Sequence, residues 1–89
     1  MRNFERTSMF SACALYVDQD PMKAFILNFS RMGAMVTTQC TLKPKGFISL
    51  AYKNEKDQLV RILTYVVYCK EKSPYFVAGL QFVGIESKN

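Results

Sequence analysis

Two groups of polar residues carry the side chains best suited to binding chemistry. Arg2 and Arg6 are separated by three residues, and Asn28, Ser30 and Gly33 form an N-x-S-x-x-G pattern further along the chain. An arginine fork donates two parallel hydrogen bonds to phosphate or to the edge of guanine, and its plane stacks on a base. The asparagine amide and the serine hydroxyl both donate and accept hydrogen bonds, and glycine permits close backbone approach. These residue types suit a ligand that carries both negative charge and planar bases.

The overall charge also favours an anionic partner. The chain of 89 residues has a net charge of +5, which suits a nucleotide, a nucleic acid or an acidic membrane, although surface lysines kept for solubility would give the same excess. The chain contains no histidine, which excludes Ser-His and Cys-His nucleophilic pairs and His-based metal sites. No two acids are placed suggestively for acid–base chemistry, so we predict no catalytic residue, no metal site and no enzyme activity.

The cysteines and the apolar runs indicate the compartment. Cys13, Cys40 and Cys69 are widely spaced and contain no C-x-x-C pair, which is typical of reduced thiols rather than a disulfide framework. Their apolar neighbours predict small, buried side chains. No apolar run reaches the roughly 18 residues of a membrane span, and the apolar stretch at Met9-Phe10 is too short for a signal peptide. We therefore expect a soluble, cytoplasmic protein.

Apolar residues alternate with a period near two along most of the chain, and turn residues interrupt them at short intervals. We expect Asp18 to Pro21 to end the first strand, because proline cannot donate to a ladder. The longest run would also suit a buried helix, but its β-branched and aromatic residues favour a strand. Six short strands without a strong helical pattern predict an all-β domain, a six-stranded antiparallel β-barrel. The predicted strands are 8–17, 24–29, 34–38, 47–52, 59–69 and 75–83.

The two polar motifs, in this order on either side of a predicted strand, resemble those of the PilZ family, bacterial domains that bind cyclic di-GMP. Residues 46–50 are similar to the family's central strand, and residues 75–82, with a Gly-x-x-Phe ending, to its last strand. The resemblance implies a six-stranded antiparallel barrel of the split-barrel type. Many members add a C-terminal helix, for which residues 86–89 are too few. We expect one stand-alone domain over 1–89, with a flexible arm at 1–7, a barrel at 8–85 and a tail at 86–89.

The resemblance also implies a role for each motif residue. Arg2 and Arg6 would clamp cyclic di-GMP from the arm. Asn28 would pair with a guanine edge, Ser30 would donate to a phosphate oxygen, and Gly33 would permit a turn with positive φ and close approach of the backbone. The family more often has aspartate at the first position of the second motif, so the asparagine implies somewhat weaker binding.

Other residues near the motifs receive weaker roles. Arg31 adds positive potential within the turn and is a secondary candidate for a phosphate contact. A hydrophobic residue such as Met1 before the arginine pair is typical of members that bind one ligand per chain rather than a stacked ligand dimer. Tyr65, Tyr68 and Arg61 could border the pocket, but packing in the core or along the ladder is the better interpretation.

The predicted function is that of a cyclic di-GMP receptor without a cofactor, whose arm changes conformation on binding and signals to a downstream effector protein. We expect a monomer or weak dimer that makes no stable contact with nucleic acid or a membrane. Two alternatives remain. A small barrel that binds single-stranded nucleic acid would also be basic, and Lys45-Gly46-Phe47-Ile48 slightly resembles a cold-shock strand. A protein-interaction module with the same fold would bind no ligand.

Overall fold

A computed structural model describes residues 11–88, with side chains described for residues 11–86. The predicted arm, with Arg2 and Arg6, lies outside the described residues. Six antiparallel strands close into a barrel in the order β1-β2-β3-β6-β5-β4, which confirms the predicted fold class. Within the described range no helix is long and apolar enough to span a membrane. The strands are β1 Ser11–Val17, β2 Asp20–Phe29, β3 Gly33–Thr38, β4 Phe47–Lys53, β5 Leu59–Lys72 and β6 Tyr75–Lys88.

The first strand ends at Val17, as predicted, but the break after it is shorter than the expected Asp18 to Pro21. β2 begins at Asp20, and Asp18 and Gln19 form a two-residue turn with φ angles of 53° and 72°. Positive φ at both positions gives the turn a twist that matches the flanking strands. β3 pairs with β2 only from Ala24 onward, so Pro21 lies in an edge segment where its missing N–H removes no ladder hydrogen bond.

The hairpin of β5 and β6 is longer than the sequence pattern predicts. The two strands reach Lys72 and Lys88 and shift register against each other at three places. The strand therefore continues into the segment that we expected to be a tail. Within it, the Glu86 carboxylate accepts a hydrogen bond from Ser49 Oγ at 2.9 Å and lies 3.2 Å from Arg61 Nε. These contacts connect the end of β6 to β4 and β5.

The core fills the interior of the barrel with side chains from every strand. One polar residue, Thr64, is fully buried, and its Oγ1 donates a hydrogen bond to the carbonyl oxygen of Ile48 at 2.9 Å. This bond offsets the free-energy cost of removing the hydroxyl from water. The largest fully buried side chains are Leu15, Val36, Leu50, Thr64 and Val66.

The three cysteines are free thiols in different environments. Cys13 and Cys69 are half-buried and pack against the core, whereas Cys40 is exposed. The prediction of a buried side chain is wrong for Cys40, because it lies in the loop after β3 rather than on an inward face. Burial raises the pKa of Cys13 to about 12.

We expect iodoacetamide at pH 8 to modify Cys40 first and Cys13 last. The thiolate is the reactive form, and it is scarce at a thiol whose pKa is raised and whose side chain is screened. Peptide mass spectrometry after timed quenching gives the three rates, and equal rates at Cys13 and Cys40 would contradict the structure. The folded Cys13 holds its proton between pH 9.0 and about 12, whereas the unfolded thiol loses it there, so its contribution to stability falls as pH rises through this window.

Candidate functional site

A β-bulge turns Asn28 out of the barrel. The pairing of β2 with β3 shifts between Ile26 and Asn28, which leaves Leu27 as an extra residue. Before the bulge, alternate residues through Ile26 face the core. After it, Phe29 packs against the core and Asn28 is exposed. The Phe29 ring contacts two other aromatic rings, with centroids 5.1 and 5.2 Å away, so the outward direction of Asn28 is held by aromatic packing beside it.

The turn between β2 and β3 is organised by Ser30. Its backbone N–H donates to the Gly33 carbonyl oxygen at 2.8 Å. Its Oγ accepts hydrogen bonds from the N–H groups of Met32 and Gly33 at 3.2 and 3.3 Å, and donates to the Gly33 carbonyl oxygen at 3.3 Å. Arg31 is exposed within the turn. The serine side chain therefore fixes the turn whether or not it also contacts a ligand.

The fold requires a glycine at position 33, but for a different reason from the one we expected. The expected positive φ is wrong, since no glycine of the chain has one. Instead, a Cβ at this position would overlap the carbonyl oxygen of Leu80 and lie 3.2 Å from the Cα of Gln81. The backbone that Gly33 approaches is β6 of the same barrel, and a close approach to a ligand stays a prediction.

A second bulge turns Tyr68 outward from β5. The pairing with β6 shifts between Val66 and Tyr68, which leaves Val67 as the extra residue. Before the bulge, every second residue of β5 up to Val66 faces the core. After it, Cys69 packs against the core, so its neighbour Tyr68 points outward. The Tyr68 ring lies over Gly79, where a Cβ would come within 2.8 Å of the ring carbon Cζ. A glycine opposite the tyrosine thus makes room for the ring.

The two bulges place Asn28 and Tyr68 at opposite ends of one row on the outer face. Asn28, Met35, Gly79 and Tyr68 are successive cross-strand partners on β2, β3, β6 and β5. With strands about 4.8 Å apart, the row spans about 14 Å. A shallow depression of about 280 Å³ lies along it, here called the site depression. Its lining consists of Asn28, Ser30, Gly33, Ala34, Met35, Val67, Tyr68, Gly79 and Leu80.

The structure therefore brings together the three residues of the second motif and adds six lining residues that we did not assign to a ligand. The preferred interpretation of ladder packing holds for Tyr68, whose ring lies over its cross-strand partner Gly79, and this residue lines the site depression as well. It also holds for Tyr65, whose ring contacts that of Phe47 with centroids 5.4 Å apart, and for Arg61, which lies over the Tyr16 ring at 4.2 Å. Met35 and Gly79 carry no polar group that would have marked them in the sequence.

The charge around the site depression is positive. None of the described residues that line the site depression is acidic. Arg31 is exposed in the turn at one end, and Lys70 Nζ lies 5.5 Å from the centroid of the Tyr68 ring at the other. The described residues contain no cluster of three His, Cys, Asp or Glu side chains that could hold a metal ion. The site is thus suited to an anionic organic ligand.

A larger depression, of about 610 Å³, lies along β1. Small side chains such as Ala12 and Ala14 line it, with Lys23 and Lys53 beside them. Its described lining contains none of Asn28, Ser30 and Gly33, so its greater volume does not make it the better candidate. The site depression is favoured because Asn28, Ser30 and Gly33, the three residues of the second motif, all line it.

The path of β1 determines where the preceding segment joins the barrel. Ser11, the first residue of β1, pairs with Ile26, directly before the β2 bulge. The chain ahead of Ser11 therefore joins the barrel beside Asn28. Arg6 is five residues earlier and, at about 3.4 Å per extended residue, has a reach of about 17 Å. That reach is similar to the length of the row from Asn28 to Tyr68.

Comparison with known proteins decides the family. The family model of the PilZ domain matches residues 1–89, the whole chain. The chain belongs to the PilZ family. PilZ domains are a family that binds cyclic di-GMP, and the match includes the segment of this PilZ domain that contains Arg2 and Arg6. Searches of curated proteins and of solved structures gave no match.

Proposed function

We propose that this PilZ domain is a receptor for cyclic di-GMP, which binds along the site depression under an arm that carries Arg2 and Arg6. The observation that carries the proposal is the convergence of Asn28, Ser30 and Gly33 in one depression without an acidic lining. Membership of the PilZ family supports the ligand class. Positive charge at both ends of the depression supports a ligand with two phosphates.

The polar end of the depression suits one guanine and one phosphate. The Asn28 amide offers an acceptor oxygen and two donor hydrogens to a guanine edge. Ser30 would exchange its 3.3 Å bond to the Gly33 carbonyl for a charge-assisted bond to a phosphate oxygen, which is about twice as strong. Its lone pairs would still accept from the N–H groups of Met32 and Gly33, so the turn would keep its shape while the hydroxyl binds the ligand.

The arm supplies the remaining contacts and the output. Arg2 and Arg6 would each donate a fork to phosphate or guanine, and the bound ligand would favour the arm state that it binds more tightly. The closed arm would present a new surface to a downstream effector protein. The function requires no catalysis and no cofactor, and Met1 favours one ligand per chain. The free thiols support a reducing compartment, the cytoplasm, for a monomer or weak dimer.

We expect Asn28→Asp to tighten cyclic di-GMP binding by about 1 kcal/mol, roughly fivefold, because a carboxylate accepts from guanine N1–H and N2–H₂ with charge assistance. Isothermal titration calorimetry measures the change. Gln19→Glu, in the turn between β1 and β2 at the opposite end of β2 from Asn28, makes the same amide-to-carboxylate change and should leave the affinity unaltered. Equal effects of the two substitutions would show that Asn28 does not contact the base.

The proposed function is tested by titrating the full chain with cyclic di-GMP, GTP and a short single-stranded DNA in separate calorimetric experiments. We expect micromolar or tighter binding of the cyclic dinucleotide and no comparable binding of the other two. A preference for the DNA would overturn the proposal in favour of single-strand recognition. Binding of none of the three would leave a PilZ domain that acts only through protein contacts.

A further inference from the structure

We propose that Tyr68 is a ligand-contacting residue whose ring stacks on one base of the bound dinucleotide. Recognition is then divided between a base edge read by Asn28 and a base face covered by Tyr68. The inference rests on the proposed function and adds a residue that neither sequence motif contains. It is carried by the position of the ring, which the β5 bulge and Gly79 fix together.

The β5 bulge is what exposes the ring. Without the extra residue Val67, the alternation that places Val66 inward would place Tyr68 inward as well. A bulge disrupts the ladder locally and re-aims one side chain, which is why bulges are common beside functional sites. Here the re-aimed residue is the one aromatic side chain among the described residues that line the site depression.

Gly79 then sets the height of the ring above the sheet. Three ring atoms of Tyr68 occupy the space that a Cβ at this position would take, with Cζ at 2.8 Å and Cδ2 at 2.9 Å. The ring therefore lies low over β6 and half-buried, at the level of the depression floor. A flat aromatic surface at that level accepts a planar base, since stacking requires only a π-face.

A cation accompanies the ring. Lys70 is exposed, and its Nζ lies 5.5 Å from the Tyr68 ring centroid. The ammonium lies over the ring, to which it is attracted, and raises the positive potential there. A base that stacks on this face would displace the exposed lysine, which could then pair with a phosphate of the same ligand. The apolar end of the row thus offers an aromatic face beside a positive charge, the combination that binds a nucleotide base and its phosphate.

The other described tyrosines have different surroundings. Tyr65 packs on Phe47, and Tyr16 and Tyr52 line the β1 depression. Tyr75, at the start of β6, is 42% exposed but does not line the site depression. Tyr75→Ala is therefore a matched control, because it removes an aromatic ring of the same kind from the same hairpin.

Calorimetry with cyclic di-GMP on the full chain tests the inference. We expect Tyr68→Ala to weaken binding about tenfold or more, and Tyr68→Phe and Tyr75→Ala to stay within about twofold of the unaltered chain, because stacking needs the ring but not its hydroxyl. Binding by Tyr68→Ala within about twofold of the unaltered chain would overturn the inference.

A measurement on the unaltered chain covers the case in which Tyr68→Ala folds poorly. In a cyclic di-GMP titration followed by NMR, a base stacked on Tyr68 shifts its ring protons upfield. Tyr68 ring resonances that stay fixed while the Asn28 amide moves would overturn the inference and leave the proposed function intact. Absence of any binding by the unaltered chain would instead overturn the proposed function, and this inference with it.

Discussion

Replacement of Arg6 by alanine is expected to weaken cyclic di-GMP binding by about 2–3 kcal/mol, roughly 30- to 150-fold, with little change in the thermal midpoint. The expected loss is large because a guanidinium fork makes two charge-assisted hydrogen bonds at once and can stack on the base. We expect little change in stability because the core of the described residues is built from β1 to β6 and we assign Arg6 to the arm ahead of them. Calorimetry and thermal denaturation on the same samples measure both quantities.

One further variant tests whether Arg6 binds through its planar guanidinium or only through its positive charge, and a second tests a different arginine. Arg6→Lys keeps the charge but loses the planar fork, so most of the affinity loss should remain. Arg31→Ala removes an exposed arginine from the β2–β3 turn and should cost less, because we assign it only a secondary phosphate contact. A large fall in the thermal midpoint of Arg6→Ala, with affinity preserved, would show that this arginine stabilises the barrel instead.

Substitution of Gly33 by alanine is expected to lower the free energy of unfolding by about 1–3 kcal/mol, the usual cost of forcing a methyl group into a packed site. The new methyl would overlap the Leu80 carbonyl oxygen, which belongs to the backbone and cannot rotate away. For a domain of this size, each 1 kcal/mol corresponds to a fall in midpoint of about 4–8 °C. Urea unfolding followed by circular dichroism measures the free energy directly.

Gly84→Ala provides the matched control for Gly33→Ala. It makes the same chemical change in β6, but its Cβ would meet no atom within 4 Å, so the unfolding free energy should stay within about 0.5 kcal/mol. Equal stability of the two variants would mean that β3 and β6 are not as close at Gly33 as the structure shows. The function of Gly33 would then have to lie elsewhere, for example at the ligand.

The strands could be predicted from the sequence because inward and outward residues alternate, but the bulges could not. Leu27 and Val67 are apolar residues next to other apolar residues, so nothing in a period-two pattern marks either as the extra one. Each nevertheless reverses the direction of every residue that follows in its strand. The outward position of Tyr68 was missed for this reason.

The candidate site, like the strands, could be predicted from the sequence only in part. The spacing of Asn28, Ser30 and Gly33 was enough to predict that they act together, and the structure does place them along one depression. Spacing could not show that Ser30 already bonds within the turn, or that Gly33 is needed for the approach of β6, because both depend on the hydrogen-bonded geometry of the folded chain. The two-residue form of the turn at Asp18 and Gln19 was not predicted because neither residue is a glycine, the usual sign of positive φ.

The most direct test of the central claim is an NMR titration of the uniformly ¹⁵N-labelled chain with cyclic di-GMP. We predict that the backbone amides of residues 28–34 and Gly79 shift and saturate at one ligand per chain, while those of Asp18 and Gln19, in the turn at the opposite end of β2, stay in place. Shifts confined to the β1 depression, or unchanged amides at residues 28–34 in the presence of excess ligand, would contradict the claim that the dinucleotide binds along the site depression.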